Sequence, residues 1–294
     1  MWDEEDGFYY DLLRPPNAPP QRMKVRSLVG LLPIAATTVI EPWQRERMPR
    51  MAAHLKQRIT SMPQLLEGIH PTGPGNLGYK DRGILALVSP RRLRRILARM
   101  LDESEFLSPN GLRSISRYHQ DHPYHINLAG HDYGVSYLPA ESDSGMFGGN
   151  SNWRGPIWMP VNFLIIESLQ KFHHYYGDDF RIEYPTRSGN FVTIKEVATE
   201  LSRRVCKLFL KGSDGQRPVL KYHPKLASDP HFKDHVLFHE FFHGDTGRGG
   251  GSPHQTGWTG LVAKLLQPRR KAQQTADATI TSQPAKASKQ PVTT

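Results

Sequence analysis

TIKEVATELSRRVCKLFLKG, residues 193–212, decides the fold class. Thr193 with Glu196 three positions later is a capping-box pattern, in which each side chain answers a backbone donor left open at a helix start. Ile194, Val197, Leu201, Val205 and Leu208 then recur at helical spacing until Gly212 stops the run. The same period returns on either side. Ser89-Pro90 reads as an N-cap and first helical residue for the stripe Leu93, Ile96, Leu97, Met100 and Leu101. Another helix is predicted from about Val161 to Tyr176, entered after Pro160 and closed by Gly177. Further helices are expected within 23–38, 42–60 and 259–267. Strand signals are sparse: 125–128 and 133–138 read as a hairpin across Ala129, Gly130, His131 and Asp132. No strand, helix, strand alternation occurs, which argues against a doubly wound sheet, and an all-α architecture with elaborate loops is expected.

The 294 residues suffice for a substantial core, and 24 Pro and 25 Gly imply long loops. A formal charge of +10 raises nucleic acid as a partner, but its distribution argues against one. Arg269, Arg270, Lys271, Lys286 and Lys289 against Asp277 place +4 in residues 268–294, an aperiodic stretch that reads as a disordered basic tail after a domain of 1–267. Arg91, Arg92, Arg94, Arg95 and Arg99 share one helical segment and read as a solvated face. No nucleic-acid motif accompanies them. Cys206 is the lone cysteine, which excludes an internal disulfide and fits a reducing, cytoplasmic setting; it reads as a buried, inert thiol. The start MWDEEDGFYY lacks the features of a secretory signal, and the longest apolar stretch, around 28–40, is broken by Gly30, Pro33, Thr37 and Thr38, so no membrane span is expected.

Two dense stretches carry chemistry. ESDSGMFGGNSNWRGPIWMPVNF, residues 141–163, sets glycines 148, 149 and 155 among Asn150, Asn152, Trp153, Arg154 and Trp158. Glycines permit backbone turns closed to other residues, and amides beside aromatic faces suit sugar hydroxyls and CH surfaces. Two core tryptophans at i and i+5 are the plainer alternative. HEFFHGDTGRGGGSPHQTGWT, residues 239–259, supports two chemistries. As His-Glu-x-x-His it offers His239 and His243 as zinc ligands and Glu240 as a base. As a carboxylate before a glycine-rich loop and Gly257-Trp258-Thr259, it offers Glu240 as an acid/base residue at a sugar site. The zinc reading needs a helix through both histidines and a third ligand, yet Gly244 follows at once and no Glu occurs after Glu240. His254 does not match the extended metzincin spacing, where Thr246 and Gly249 stand instead. His119, His122, His125, His131, His173 and His174 read as structural, and GRGGGS lacks the ending of a phosphate loop.

The runs FGGNSNWRGPIW (147–158), ESLQKFHHYYGDD (167–179) and EFFHGDTGRGGGSPHQTGWTGLV (240–262) resemble the C-terminal catalytic domain of glycoside hydrolase family 63, with its processing α-glucosidases and bacterial glucosidase-like and mannosylglycerate hydrolase members. The resemblance implies an (α/α)6 toroid and an inverting glycosidase without cofactor, acting on an oligosaccharide or glycoside. In such an enzyme two carboxyl groups stand ~6.5 to 9.5 Å apart, one protonating the leaving oxygen and one activating water. By the same resemblance Glu240 is the general base, and Asn152, Trp153, Arg154, Gly155, Trp158, Gly257 and Trp258 bind substrate. The family's general acid falls upstream of the stretch matched by WDEEDGFYYD, inside which this chain begins. The expectation is therefore a truncated member with an incomplete toroid, lacking the acid and needing an upstream segment or partner chain. Asp3, Glu4, Glu5, Asp6 and Asp11 are its nearest carboxylates and read as a solvated start. A non-catalytic fragment or subunit is the competing reading.

Overall fold

The computed structural model describes residues 1–16, 19–62, 77–143 and 152–267. Gly148, Gly149, Asn150 and the expected tail lie outside them. The helices in chain order are α1 (Pro42–Arg47), α2 (Pro49–Ser61), α3 (Pro90–Met100), α4 (Met159–Tyr176), α5 (Ile194–Lys207), α6 (Pro224–Ser228), α7 (Thr256–Thr259) and α8 (Val262–Leu266).

Helix α5 starts as its sequence dictates. Glu196 N–H donates to Thr193 Oγ1 at 3.2 Å and Thr193 N–H to Glu196 Oε2 at 2.7 Å, completing the capping box. Ile194, Val197, Leu201 and Val205 are buried along it. It ends at Lys207, ahead of Gly212, because the chain tightens there: Phe209 N–H reaches Cys206 O and Leu210 N–H reaches Lys207 O. Cys206 is buried, which pushes its thiol pKa up and leaves it protonated. Helix α4 packs along α5, with Ile165, Ile166, Leu169 and Phe172 buried, and Gly177 in the left-handed region closes it. In α3, Ser89 Oγ caps Arg92 N–H, and Leu93, Ile96, Leu97 and Met100 are buried.

The all-α expectation holds only in part. Around this helical centre the described residues form seven two-stranded antiparallel pairs. Most of these strands run two or three residues, too short to show the alternation from which a strand is read. The expected hairpin is present as Tyr124–Leu128 against His131–Val135. Ala129 and Gly130 both adopt positive φ in a two-residue turn, so His131 and Asp132 belong to the strand, not the loop. The helix expected within 23–38 is replaced by 3-10 turns at Leu28–Gly30 and Leu32–Ala35 and by a strand, Thr37–Ile40, paired with Gly83–Ala86. Pro33 has no N–H to continue a helix. The helix expected over 42–60 is split into α1 and α2 at Met48, which Pro49 keeps out of helical conformation. Of the expected (α/α)6 toroid, the described residues supply one closely packed helix pair, α4 with α5.

The arginine face of α3 is not simply solvated. The acidic start folds into a hairpin, Trp2–Asp3 with Phe8–Tyr9, that lies on it. Glu4 pairs with Arg91 at 2.5 Å and Arg95 at 3.2 Å, Arg99 donates to Asp6 O, and Arg92 stacks over the Trp2 ring. The two charge runs, some 90 residues apart, are partners. No described helix is long and apolar enough to cross a membrane.

Candidate functional site

The two motif stretches meet through backbone pairing. Ile157 N–H donates to Phe242 O at 2.8 Å, and Phe242 N–H donates to Ile157 O at 3.0 Å. On its other side Ile157 bridges to Arg113, while Phe241–Phe242 pairs with Gly249–Gly250. A short ladder thus runs Arg113, Ile157, Phe242, Gly249. It sets the Trp153 to Trp158 run beside Glu240.

Along this ladder the tryptophans collect. Trp158 is buried and donates its Nε1–H to Asn152 O at 3.0 Å, the partner a buried indole requires. Trp153 lies flat on it, with centroids 3.8 Å apart and planes 1° from parallel. Trp258, from α7, meets it edge-on at 6.0 Å, and Phe241 packs at 5.3 Å. Trp153 and Trp258 remain 38% and 37% exposed, so the cluster has a buried centre and two rings open to a ligand. Helix α7 is tied to the Glu240 segment by Thr259 Oγ1 donating to His239 O.

The glycine run of 249–251 makes room for the side chains opposite it. A Cβ on Gly249 would lie inside the His239 ring contact, one on Gly250 would meet Phe241 at 2.5 Å, and one on Gly251 would meet Glu240 Oε2 at 2.6 Å. The hairpin register pairs Phe241 with Gly250, yet Glu240 N–H donates to Ser252 O at 2.9 Å. Gly251, at φ +66°, is the extra residue of a bulge facing Glu240. Ser252 N–H donates to Glu240 Oε2 at 3.1 Å. The carboxylate is held by backbone geometry.

The other expected site residues divide. Gly155 is required by close approach: at φ +154°, a Cβ would come within 2.6 Å of Leu138 O. Asn152 is 1% exposed, with its amide donating to Leu138 O and Ala140 O and its Oδ1 accepting Arg154 N–H. These bonds brace the loop and engage the amide, so Asn152 is placed as a support for the tryptophans. Arg154 donates to Ser142 Oγ at 2.9 Å and Asp143 Oδ1 at 2.7 Å. A Cβ on Gly257 would meet nothing within 4 Å, so packing does not demand glycine there.

The zinc arrangement lacks its helix. Phe241–Phe242 is a strand, so no helix runs through His239 and His243 to bring both rings onto one face. His239 is buried and stacked on His223, while His243 Nδ1 accepts N–H bonds from Asp245 and Thr246. Among the described residues no group of three or more His, Cys, Asp or Glu could hold a metal. Among the N-terminal carboxylates, Asp3 is engaged by its own neighbours. Asp3 accepts N–H bonds from Glu5 and Asp6 and pairs with Lys24 at 3.5 Å; the Asp6 backbone bond, with Lys24 and Arg22, holds it below the ordinary carboxylate range. A general acid needs its pKa raised. His119, as expected, is structural: Nε2 accepts Arg26 N–H and Nδ1 bonds His122 O.

Four residues beneath the site, Arg113, Tyr137, Asp245 and Asn162, were not singled out by sequence. Buried Arg113 donates to Tyr137 Oη at 3.0 Å and Asp245 Oδ1 at 2.9 Å, and Tyr137 Oη donates to the same oxygen. Burial, with Asp245 alongside, pushes the Tyr137 phenol up and keeps it protonated. Together they anchor the turn after His243. Asn162 of α4 accepts Leu112 N–H and donates to Leu112 O, taking the place of a strand partner. None of these belongs to a local pattern.

Stacked and edge-on tryptophans beside a backbone-held carboxylate form a grouping chemically suited to a sugar ring. Residues 82–211 match the model of the glycosyl hydrolase family 63 C-terminal domain, the family that the motifs resemble. The matched segment contains the 152–158 run and ends before Glu240. An uncharacterized protein of Saccharomyces cerevisiae is 47% identical over 268 residues, covering 90% of this chain and 24% of its own length. The mannosyl-oligosaccharide glucosidase of the same yeast is 26% identical over 137 residues, covering 46% of this chain and 13% of that one.

Proposed function

We propose that the chain forms the base-bearing part of an inverting glycoside hydrolase site for α-glucosidic or related α-linked oligosaccharides or glycosides. Glu240 activates water, and Trp153 and Trp258 stack on sugar faces around buried Trp158. The supporting observation is the Ile157 to Phe242 pairing, which joins the family-matched run to the Glu240 hairpin. The general acid comes from a further polypeptide segment that also completes an (α/α)6 toroid. The backbone N–H bonds and Lys24 pairing that hold the Asp3 carboxyl low argue against Asp3 itself as that acid. The lone buried thiol of Cys206 supports a cytoplasmic setting.

The test separates base from acid. An activated aryl leaving group needs little protonation, so the chain should hydrolyse 2,4-dinitrophenyl α-glucoside slowly and an α-linked glucose disaccharide scarcely at all. Proton NMR of the first product should show the inverted, β-configured sugar. A retained configuration overturns the inverting assignment. Brisk disaccharide hydrolysis abolished by Glu240→Gln would instead place the acid within this chain.

A further inference from the structure

We infer that the Gly251-Ser252 bulge is the device that positions Glu240 for water activation, so that Gly251 and the Ser252 backbone N–H are positioning elements of the reaction. The inference rests on the reading of Glu240 as the base. Three features carry it. Gly251 is the additional residue between the Glu240–Ser252 and Phe241–Gly250 rungs, and its φ of +66° suits glycine. The absent Cβ leaves the volume that the carboxylate occupies: an alanine methyl there would sit 2.6 Å from Glu240 Oε2, 2.8 Å from Phe241 Cε1 and 2.9 Å from Glu240 Cβ. The bulge also turns Ser252 N–H onto Glu240 Oε2 at 3.1 Å. In a regular hairpin a side chain would stand at position 251 and push the carboxylate away. The Phe241 ring that shares Gly251 also packs on Trp158, so one glycine fixes the carboxylate relative to the aromatic platform. Bulges that re-aim a side chain in this way recur beside active sites.

A misplaced base has a signature that simple instability lacks. Water must lose a proton as it attacks the anomeric carbon. Azide is already anionic; its nitrogen can form the new bond, with the aglycone departing as its anion, and no base is needed. Gly251→Ala in the full chain, assayed on 2,4-dinitrophenyl α-glucoside, is expected to lower kcat on the order of 10²-fold with little change in KM. Added azide should restore turnover and yield the β-glycosyl azide. Gly215→Ala is the control for backbone strain: Gly215 has φ +73° and open space around its Cβ position, so its variant should keep kcat. Should Gly251→Ala fail to fold, replacing the Ser252 amide with an ester removes the N–H without adding bulk and should give the same azide-restored loss. Unchanged kcat in the folded Gly251→Ala chain, or equal loss in Gly215→Ala, or a loss that azide does not restore, overturns the positioning role. Glu240→Ala distinguishes the premise: if the unsubstituted chain is inactive on this substrate, or Glu240→Ala is not restored by azide, the base reading itself fails and this inference falls with it.

Discussion

The N-terminal hairpin and the Glu240 hairpin both present carboxylates from short two-stranded turns, and they hold them by different means. At the N-terminus Glu4 is met by Arg91 and Arg95 and Asp6 by Lys24 at 3.0 Å, while Asp3 adds a pairing with Lys24 to the N–H bonds it accepts from Glu5 and Asp6. At residue 240 the carboxylate rests against a glycine bulge and accepts a backbone N–H. Cation pairing favours the ionised form and commits the group to holding two elements together. Backbone seating fixes direction. The first arrangement fastens the chain start to α3; the second suits a group that must face a substrate.

The largest expected difference between the two hairpins is catalytic. Glu240→Gln should lower turnover of the activated glucoside by about 10² to 10⁴-fold, the usual worth of a general base, without loss of the folded state. Glu4→Gln should leave turnover intact, and an equal loss at both positions would erase the distinction. Next comes packing within the site. Trp158→Ala, which removes the buried centre of the cluster, should cost about 3 to 5 kcal/mol in denaturant unfolding. Trp153→Ala, at a half-open stacked ring, should cost about 1 kcal/mol while weakening sugar binding measured by calorimetry.

Acid should separate the regions by pH. Burial, with His223 and Arg248 nearby, pushes the His239 imidazole down to about 4. Its unfolded counterpart binds a proton near pH ~6.5, so the unfolded state holds more protons between that value and 4. Stability from this group is therefore present above pH ~6.5 and lost as pH falls towards 4. The lowered carboxylates act later. For Asp3 the Asp6 N–H is the leading cause; for Asp6 burial opposes the shift, while Lys24 and Tyr10 prevail. Their contribution is present above the unfolded value of ~3.9 and disappears below it. Urea unfolding across pH should thus show two declines, with His239→Phe flattening the upper and Asp3→Asn the lower. A single decline unaffected by His239→Phe would show that both hairpins answer to the same groups. The smallest effect is away from both hairpins: Thr193→Ala should cost about 1 kcal/mol through loss of the α5 cap, with activity unchanged.

Local patterns were legible wherever one stretch of chain held its own explanation. The capping box of α5, the Ser89-Pro90 start of α3 and the Gly177 stop of α4 follow from residues within a turn of one another. The 3-10 turns after Ser27 and the short strand pairs were not legible, because pairing with distant segments outweighs propensity in runs of two to four residues. The same division holds within the site. Trp153, Trp158 and Glu240 stand out by residue type and neighbourhood. Arg113, Tyr137 and Asp245 do not, because no spacing relates positions 113, 137 and 245 until the backbone has brought them together.

By itself the sequence determined the three main helices and the family resemblance and singled out Trp153, Trp158 and Glu240, since each depends on side-chain order over a few turns or on an uninterrupted motif. Tertiary structure alone decided that the acidic start clasps the arginine face of α3, that Asn152 braces the loop, and that a short strand, not a helix, lies between His239 and His243. It also decided that Gly251 stands where the Glu240 side chain needs space. These are relations between segments far apart in the chain, and only the folded backbone sets their distances.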